Sequence, residues 1–173
     1  TYLPDGNGDK ISDIVVESYG INATKDMPNL FLINGASKET AKELWDSQPI
    51  GGLSNGGGFG EKCLGGIYDF NKDGIKDILF GGAWGNRSIF AINGATGEEI
   101  WNYSTVKDPY NIESGWINDH DIAADITGDG VPEVLVGVGA KNKNAYLLDG
   151  SNGEVIWRFI NTWDSVTAVT ATG

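Results

Sequence analysis

Cysteine is nearly absent. Cys63 stands alone among 173 residues, so no internal disulfide can form and no cysteine-based zinc site is available. A reduced compartment and a disulfide-free surface protein fit that count equally. Basic residues are scarce as well: 12 Lys and Arg face 24 Asp and Glu, giving a formal charge of −12. With so little to neutralise phosphates, neither nucleic acid nor an anionic membrane is expected as a partner. The longest apolar or glycine stretch, Val134 to Ala140, falls far short of the ~18 residues of a membrane span, so membrane insertion is not expected. No basic and apolar leader stands at Thr1, and any secretion signal is expected to have been removed or to lie elsewhere.

Glycine and aromatics are plentiful. The 26 glycines are about twice the usual ~7% share, and six each of Trp, Tyr and Phe supply bulky packers. Turn formers mixed with large apolar side chains predict a single all-β domain with many short connections, spanning residues 1–173 and long enough to bury a core.

An acidic window repeats along the chain. In "DFNKDGIKD", oxygen-bearing side chains occupy positions 1, 3, 5 and 9: Asp69, Asn71, Asp73 and Asp77. Asp5, Asn7, Asp9 and Asp13 take the same offsets in "DGNGDKISD", as do Asp125, Thr127, Asp129 and Glu133 in "DITGDGVPE". The windows start 64 and 56 residues apart, a period somewhat longer than that of common propeller blades. A second motif travels with the first: "NGASKETAKELW", "NGATGEEIW" and "DGSNGEVIW", each closing on an aliphatic residue and Trp. Three repeats follow, roughly 1–62, 63–118 and 119–173.

Within a repeat, "DILFGGAW" reads as a buried strand, and "SIFAING" with "EIWNYS" reads as a hairpin whose turn glycines take positive φ. "CLGGIYD" and "DHDIAAD" are strands running into the acidic windows, and "SVTAVTAT" is expected to be another strand of that kind. "ASKETAKELW" has helical propensity, but its alignment with the other hairpins makes it an enlarged turn.

Carboxylates crowded at 1, 3, 5 and 9 repel one another unless a cation sits among them. Calcium takes six to eight oxygen ligands in a flexible cage, and a glycine at position 6 turns the chain so that the position-7 carbonyl joins. Gly74 and Gly130 stand there, and the carbonyls would come from Ile11, Ile75 and Val131. An EF-hand would carry glutamate at position 12, where Val16, Phe80 and Val136 occur instead, so the acid at position 9 is the natural closing ligand. The competing reading is an ordinary Asp/Asn/Gly turn, which three windows in register make less economical. Lys10 replaces the glycine in the first window, and Thr127 is a weaker ligand than Asn or Asp. Three Ca²⁺ would bring the formal charge from −12 to −6.

No catalytic set emerges. His120, the one histidine, lies between Asp119 and Asp121 and has the makings of a general base or metal ligand. Without a nucleophile in a recognisable setting it reads as structural or solvent-facing, and Cys63 reads as a small buried hydrophobe. Trp45, Trp101 and Trp157 recur at one place in the repeat and suit sheet packing. Trp84, Trp116 and Trp163 lie in or near loops, where they suit a sugar-stacking platform or core burial. Asn22, Asn86 and Asn102 begin N-x-S/T sequons, compatible with export.

The windows, with "LFGGAWG" after the second, resemble the calcium loops of FG-GAP and integrin-like β-propeller repeats. "AINGATGEEIW" and "LLDGSNGEVIW" are similar to the tryptophan-docking repeats of quinoprotein (PQQ)-like propellers. Together these resemblances imply four-stranded antiparallel blades, here three repeats of a partial propeller. Its unpaired edges would seek further blades or a second copy. They also imply a non-catalytic, calcium-binding scaffold, extracellular or on a cell surface, contacting an unidentified protein or glycan ligand. Polysaccharide lyases and carbohydrate binders share similar loops. A pyrroloquinoline quinone dehydrogenase is the remaining alternative, opposed by the lack of the paired cysteines common in that group.

Overall fold

The computed structural model describes residues 5–17, 30–47, 64–82, 87–108 and 115–172. Cys63, Trp84, Asn22 and Asn86 lie outside them. Among the described residues the chain forms strands and one 3-10 turn, with no α-helix. The first sheet has the order β1 (Ile14–Glu17), β2 (Leu30–Ile33), β3 (Glu43–Ser47). The second is β4 (Leu64–Tyr68), β5 (Asp77–Gly81), β6 (Ser88–Ile92), β7 (Glu99–Ser104), and the third is β8 (Ile117–Ile122), β9 (Val134–Val138), β10 (Ala145–Leu148), β11 (Val155–Phe159). Every neighbouring pair is antiparallel. These are three blade-like meanders that do not close into a ring. The first has three strands among the described residues rather than the expected four.

The apolar runs lack alternation because the sheets stack on one another, so a middle strand is covered on both faces. β5 and β6 are buried at every residue. One core lies between the first and second sheets, where Trp45 and Val15 pack on Leu30, Ile78, Phe80, Phe90 and Ile92. A larger one joins the second and third through Leu79, Ile89, Trp101, Val136 and Tyr146. Full burial of such a side chain contributes about 1.5–3 kcal/mol, so the sheets depend on one another.

All three hairpins carry a register shift one step before the turn, at Leu32/Ile33, Ala91/Ile92 and Leu147/Leu148. Two turns are tight, closed by Asn93 N–H to Glu98 O and Asp149 N–H to Glu154 O, both 2.8 Å. The first turn is larger, closing at Lys42 with Asn34 N–H to Lys42 O at 2.8 Å. "ASKETAKELW" therefore makes an enlarged turn and β3, as its alignment predicts, and its helical propensity is overridden by the sheet.

The segment 165–172 differs from expectation. It forms no strand and instead lies extended against the third sheet. Val166 N–H donates to Val138 O at 3.1 Å, while the Asp119 and Asp121 carboxylates accept the amides of Val169 and Ala171 at 2.8 and 3.1 Å. A ladder needs a neighbour exchanging bonds in both directions, and these carboxylates take the amides singly.

Candidate metal centres

Each acidic window forms the loop that enters β1, β5 or β9, and all three fold alike. The position-1 carboxylate is wrapped by the chain that follows. Asp5 accepts the amides of Gly8 and Lys10, both at 2.8 Å. Asp69 accepts those of Asp73 and Gly74 at 3.0 and 2.9 Å, and Asp125 those of Gly128 and Gly130 at 2.6 and 2.8 Å. The position-5 carboxylate accepts the position-7 amide in every loop: Asp9 from Ile11, Asp73 from Ile75 and Asp129 from Val131, each at 2.8 Å.

Such wrapping demands left-handed backbone at two places. Position 6 has φ of 69° at Lys10, 88° at Gly74 and 86° at Gly130. Position 4 has 77° at Gly8, 61° at Lys72 and 77° at Gly128. The sequence pointed to position 6 alone. Lys10 adopts the glycine conformation despite its side chain, at a cost of order 1 kcal/mol, so the first loop keeps the shape of the others.

Donors divide by exposure. Asn7, Asp9, Asn71, Asp73, Thr127 and Asp129 face solvent, whereas the position-9 acids Asp13, Asp77 and Glu133 are fully buried. Their oxygens are engaged by backbone. Asp77 accepts Phe70 N–H at 2.7 Å and Gly94 N–H at 3.0 Å. Asp13 does the same with Gly6 and Gly35 at 2.8 and 3.0 Å, and Glu133 with Ile126 and Gly150 at 2.9 and 3.2 Å. The sequence did not reveal this staple between loop and hairpin turn. Its visible trace is the Asn-Gly or Asp-Gly pair opening every turn.

Among the described residues, no group of three or more His, Cys, Asp and Glu side chains is gathered closely enough to hold a metal ion. Each loop instead offers two outer carboxylates, an amide or hydroxyl oxygen at position 3, the position-7 carbonyl and the inner acid. That hard-oxygen set fits calcium in its chemistry. A carboxylate oxygen that accepts one amide still has a lone pair.

The electrostatics follow the same division. Burial pushes Asp77 up to about 6, against the lowering influence of its backbone bonds. Asp125 is held low first by the Gly130 amide, and Asp129 first by the Val131 amide, with Ser151 and the Lys72 charge adding to it. For Asp73, burial pushes upward, but bonds from Ile75, Asn71 and Asn93 outweigh it. The Lys72 ammonium reaches across from the second loop to the Asp129 carbonyl at 2.5 Å.

Two tryptophans join the sheets. Trp45 donates its indole N–H to Gly94 O at 3.0 Å, and Trp101 donates to Gly150 O at 2.7 Å, each 49 residues ahead. A Cβ at Gly97 would lie 2.6 Å from the Trp45 ring, and one at Gly153 would lie 2.7 Å from that of Trp101. Residues 69–136 match the family model of the FG-GAP-like repeat. The match begins at position 1 of the second loop and ends in β9, so it takes in two of the three loops. No curated protein matches the chain.

The other sequence candidates are dispersed. His120 is buried in β8 at 6% exposure, its ring beside Gly65 of β4. Trp116 is half-buried and Trp163 is 87% exposed. A buried polar clamp between the second and third sheets went unforeseen. The Asp108 carboxylate accepts the Tyr103 hydroxyl at 2.6 Å and Arg158 Nε at 3.0 Å. Burial and that carboxylate push the Tyr103 phenol up.

Proposed function

We propose that this β-propeller-type repeat segment binds calcium through its three loops and serves as a non-catalytic scaffold outside the cell, presenting loops to a protein or glycan ligand. The observation that carries the reading is the shared loop form. Three separate windows wrap a position-1 carboxylate, turn left-handed at positions 4 and 6, and leave the donors at 3 and 5 toward solvent. Asp5, Asn7, Asp9, the Ile11 carbonyl and Asp13 would hold the first ion. Asp69, Asn71, Asp73, the Ile75 carbonyl and Asp77 would hold the second, and Asp125, Thr127, Asp129, the Val131 carbonyl and Glu133 the third. The ion would neutralise the crowded carboxylates and brace the loops.

No helix among the described residues is long and apolar enough to cross a membrane. Weak loops of this kind fill where calcium is plentiful, which supports an extracellular or cell-surface location. Calorimetry tests the reading: saturable heat on adding CaCl2 to chelator-treated protein, reduced by a site's share in Asp69→Asn/Asp73→Asn. Absence of heat, with a melting temperature indifferent to chelator, would overturn it.

A further inference from the structure

β3, β7 and β11 present equivalent faces, and two of the three are covered. Trp45 seats on Gly94 and Gly97 of the second sheet, and Trp101 seats on Gly150 and Gly153 of the third. The residue two positions on is engaged as well: Ser47 donates to Gly97 O, and Tyr103 packs on the Tyr146 ring at 5.3 Å. Trp157 and Phe159 are the third pair in this series. Trp157 is 41% exposed against 6% for Trp101, and Phe159 is 60% exposed.

The two occupied seats define what such a face accepts. Each is a tight hairpin turn of the form Asn/Asp-Gly-x-x-Gly. The first glycine offers its carbonyl to the indole, and the second, at φ of 74° or 75°, leaves room for the ring. A second copy of this chain offers no such seat among its described residues. Its two matching turns already hold its own Trp45 and Trp101. Its first turn has Lys38 in the place of the second glycine, and Ala41 just before the closing residue Lys42. A side chain at that position would occupy the volume of the ring.

We propose that the Trp157 and Phe159 face of β11 docks another sheet of the same repeat type, one that presents an Asn/Asp-Gly-x-x-Gly turn and lies outside these 173 residues. The two covered interfaces establish the geometry, and this face continues their series at the same spacing of 56 residues. It rests on sheet packing and not on the calcium reading.

Two measurements test it. First, sedimentation of the 173-residue protein should show a monomer at tens of micromolar, with Trp157 open to acrylamide quenching. A dimer abolished by Trp157→Ala would make a second copy the occupant and overturn the proposal. Second, residues 117–172 are duplicated after residue 172, which places a fresh Asp-Gly-Ser-Asn-Gly turn 49 residues beyond Trp157. The extended protein should protect Trp157 from quenching several-fold and melt at a higher temperature. Trp157→Ala should erase that gain, as should valine at the second glycine of the added turn. Appending residues 5–47 instead should give no protection. If Trp157 stays equally quenchable in the extended protein while its circular dichroism shows the added strands folded, the proposal fails.

Discussion

Trp101 donates its indole N–H to the carbonyl of Gly150 across 2.7 Å, from the second sheet into the third. The other side of the same glycine, its N–H, goes to the Glu133 carboxylate at 3.2 Å. A sheet-to-sheet contact and the inner acid of a loop thus meet at one residue. Gly94 repeats the arrangement between Trp45 and Asp77.

Trp101 and Trp157 hold the same place in the repeat, yet truncating them should have very different costs. Trp101→Ala opens a cavity in a core and strands the Gly150 carbonyl, for a loss of about 3–5 kcal/mol. Trp157→Ala removes a ring that already meets solvent and should stay within about 0.5 kcal/mol. Urea unfolding of the two variants measures both. Equal losses would contradict the packing described.

Gly153→Ala should destabilise by about 2–4 kcal/mol, although the side chain added is one methyl group. Its φ of 75° disfavours a side chain, and the new Cβ would lie 2.7 Å from the Trp101 ring. Gly128→Ala, also at positive φ but with nothing nearby, should cost only about 1 kcal/mol. Thermal melts of the pair separate the ring contact from the backbone effect.

The outer and inner acids of a loop should respond differently to calcium. Asp77→Ala leaves the Phe70 and Gly94 amides without their carboxylate, a loss of about 1–3 kcal/mol for each amide, whether or not calcium is present. Asp73→Asn should change little in chelator and remove most of the stabilisation gained on adding CaCl2. Melting both variants with and without the ion reads the difference.

In chelator, acidity should act on Asp77 in a defined direction. Its folded value of about 6 lies above the ordinary aspartate value of 3.8, so the folded state holds that proton more tightly than the unfolded chain. The stabilisation is complete below about pH 4 and is lost as pH rises toward 6. Asp125 and Asp129, both held low, act oppositely, and their contribution disappears as pH falls below the usual carboxylate range. Subtracting an Asp77→Asn stability profile from that of the parent should leave a slope confined to pH 4–6.

Lys72 brings a positive charge to the third loop. Lys72→Ala should tighten calcium at that loop by about 2–5-fold, the effect of removing one exposed charge. The gain should shrink in high salt. Calorimetry in a background carrying Asp5→Asn/Asp9→Asn and Asp69→Asn/Asp73→Asn isolates the site.

Much of this was legible in the sequence, because period and turn chemistry are local. "DILFGGAW" and "SIFAING" announced buried strands, the Asx-Gly pairs announced hairpins, and the windows announced loops of one shape. What stayed hidden depends on neighbours distant in sequence. Nothing in "DGIKD" says that Asp77 turns away from solvent toward Gly94, since the amide it meets is 17 residues away. Lys10 looked like a departure from the pattern, but the surrounding hydrogen bonds hold it in the conformation of a glycine. Trp157 holds the place of Trp101 in the repeat, and what separates their exposures is that no sheet among the described residues covers Trp157.

The glycines gripped from both sides have a mechanical consequence. Tension entering at one acidic loop passes through a single glycine into the indole of the adjoining sheet, and from there along that sheet to its own glycine grip. The array is therefore coupled in series, and loosening any one grip leaves the sheets on either side of it held only by the core and side-chain contacts that remain between them.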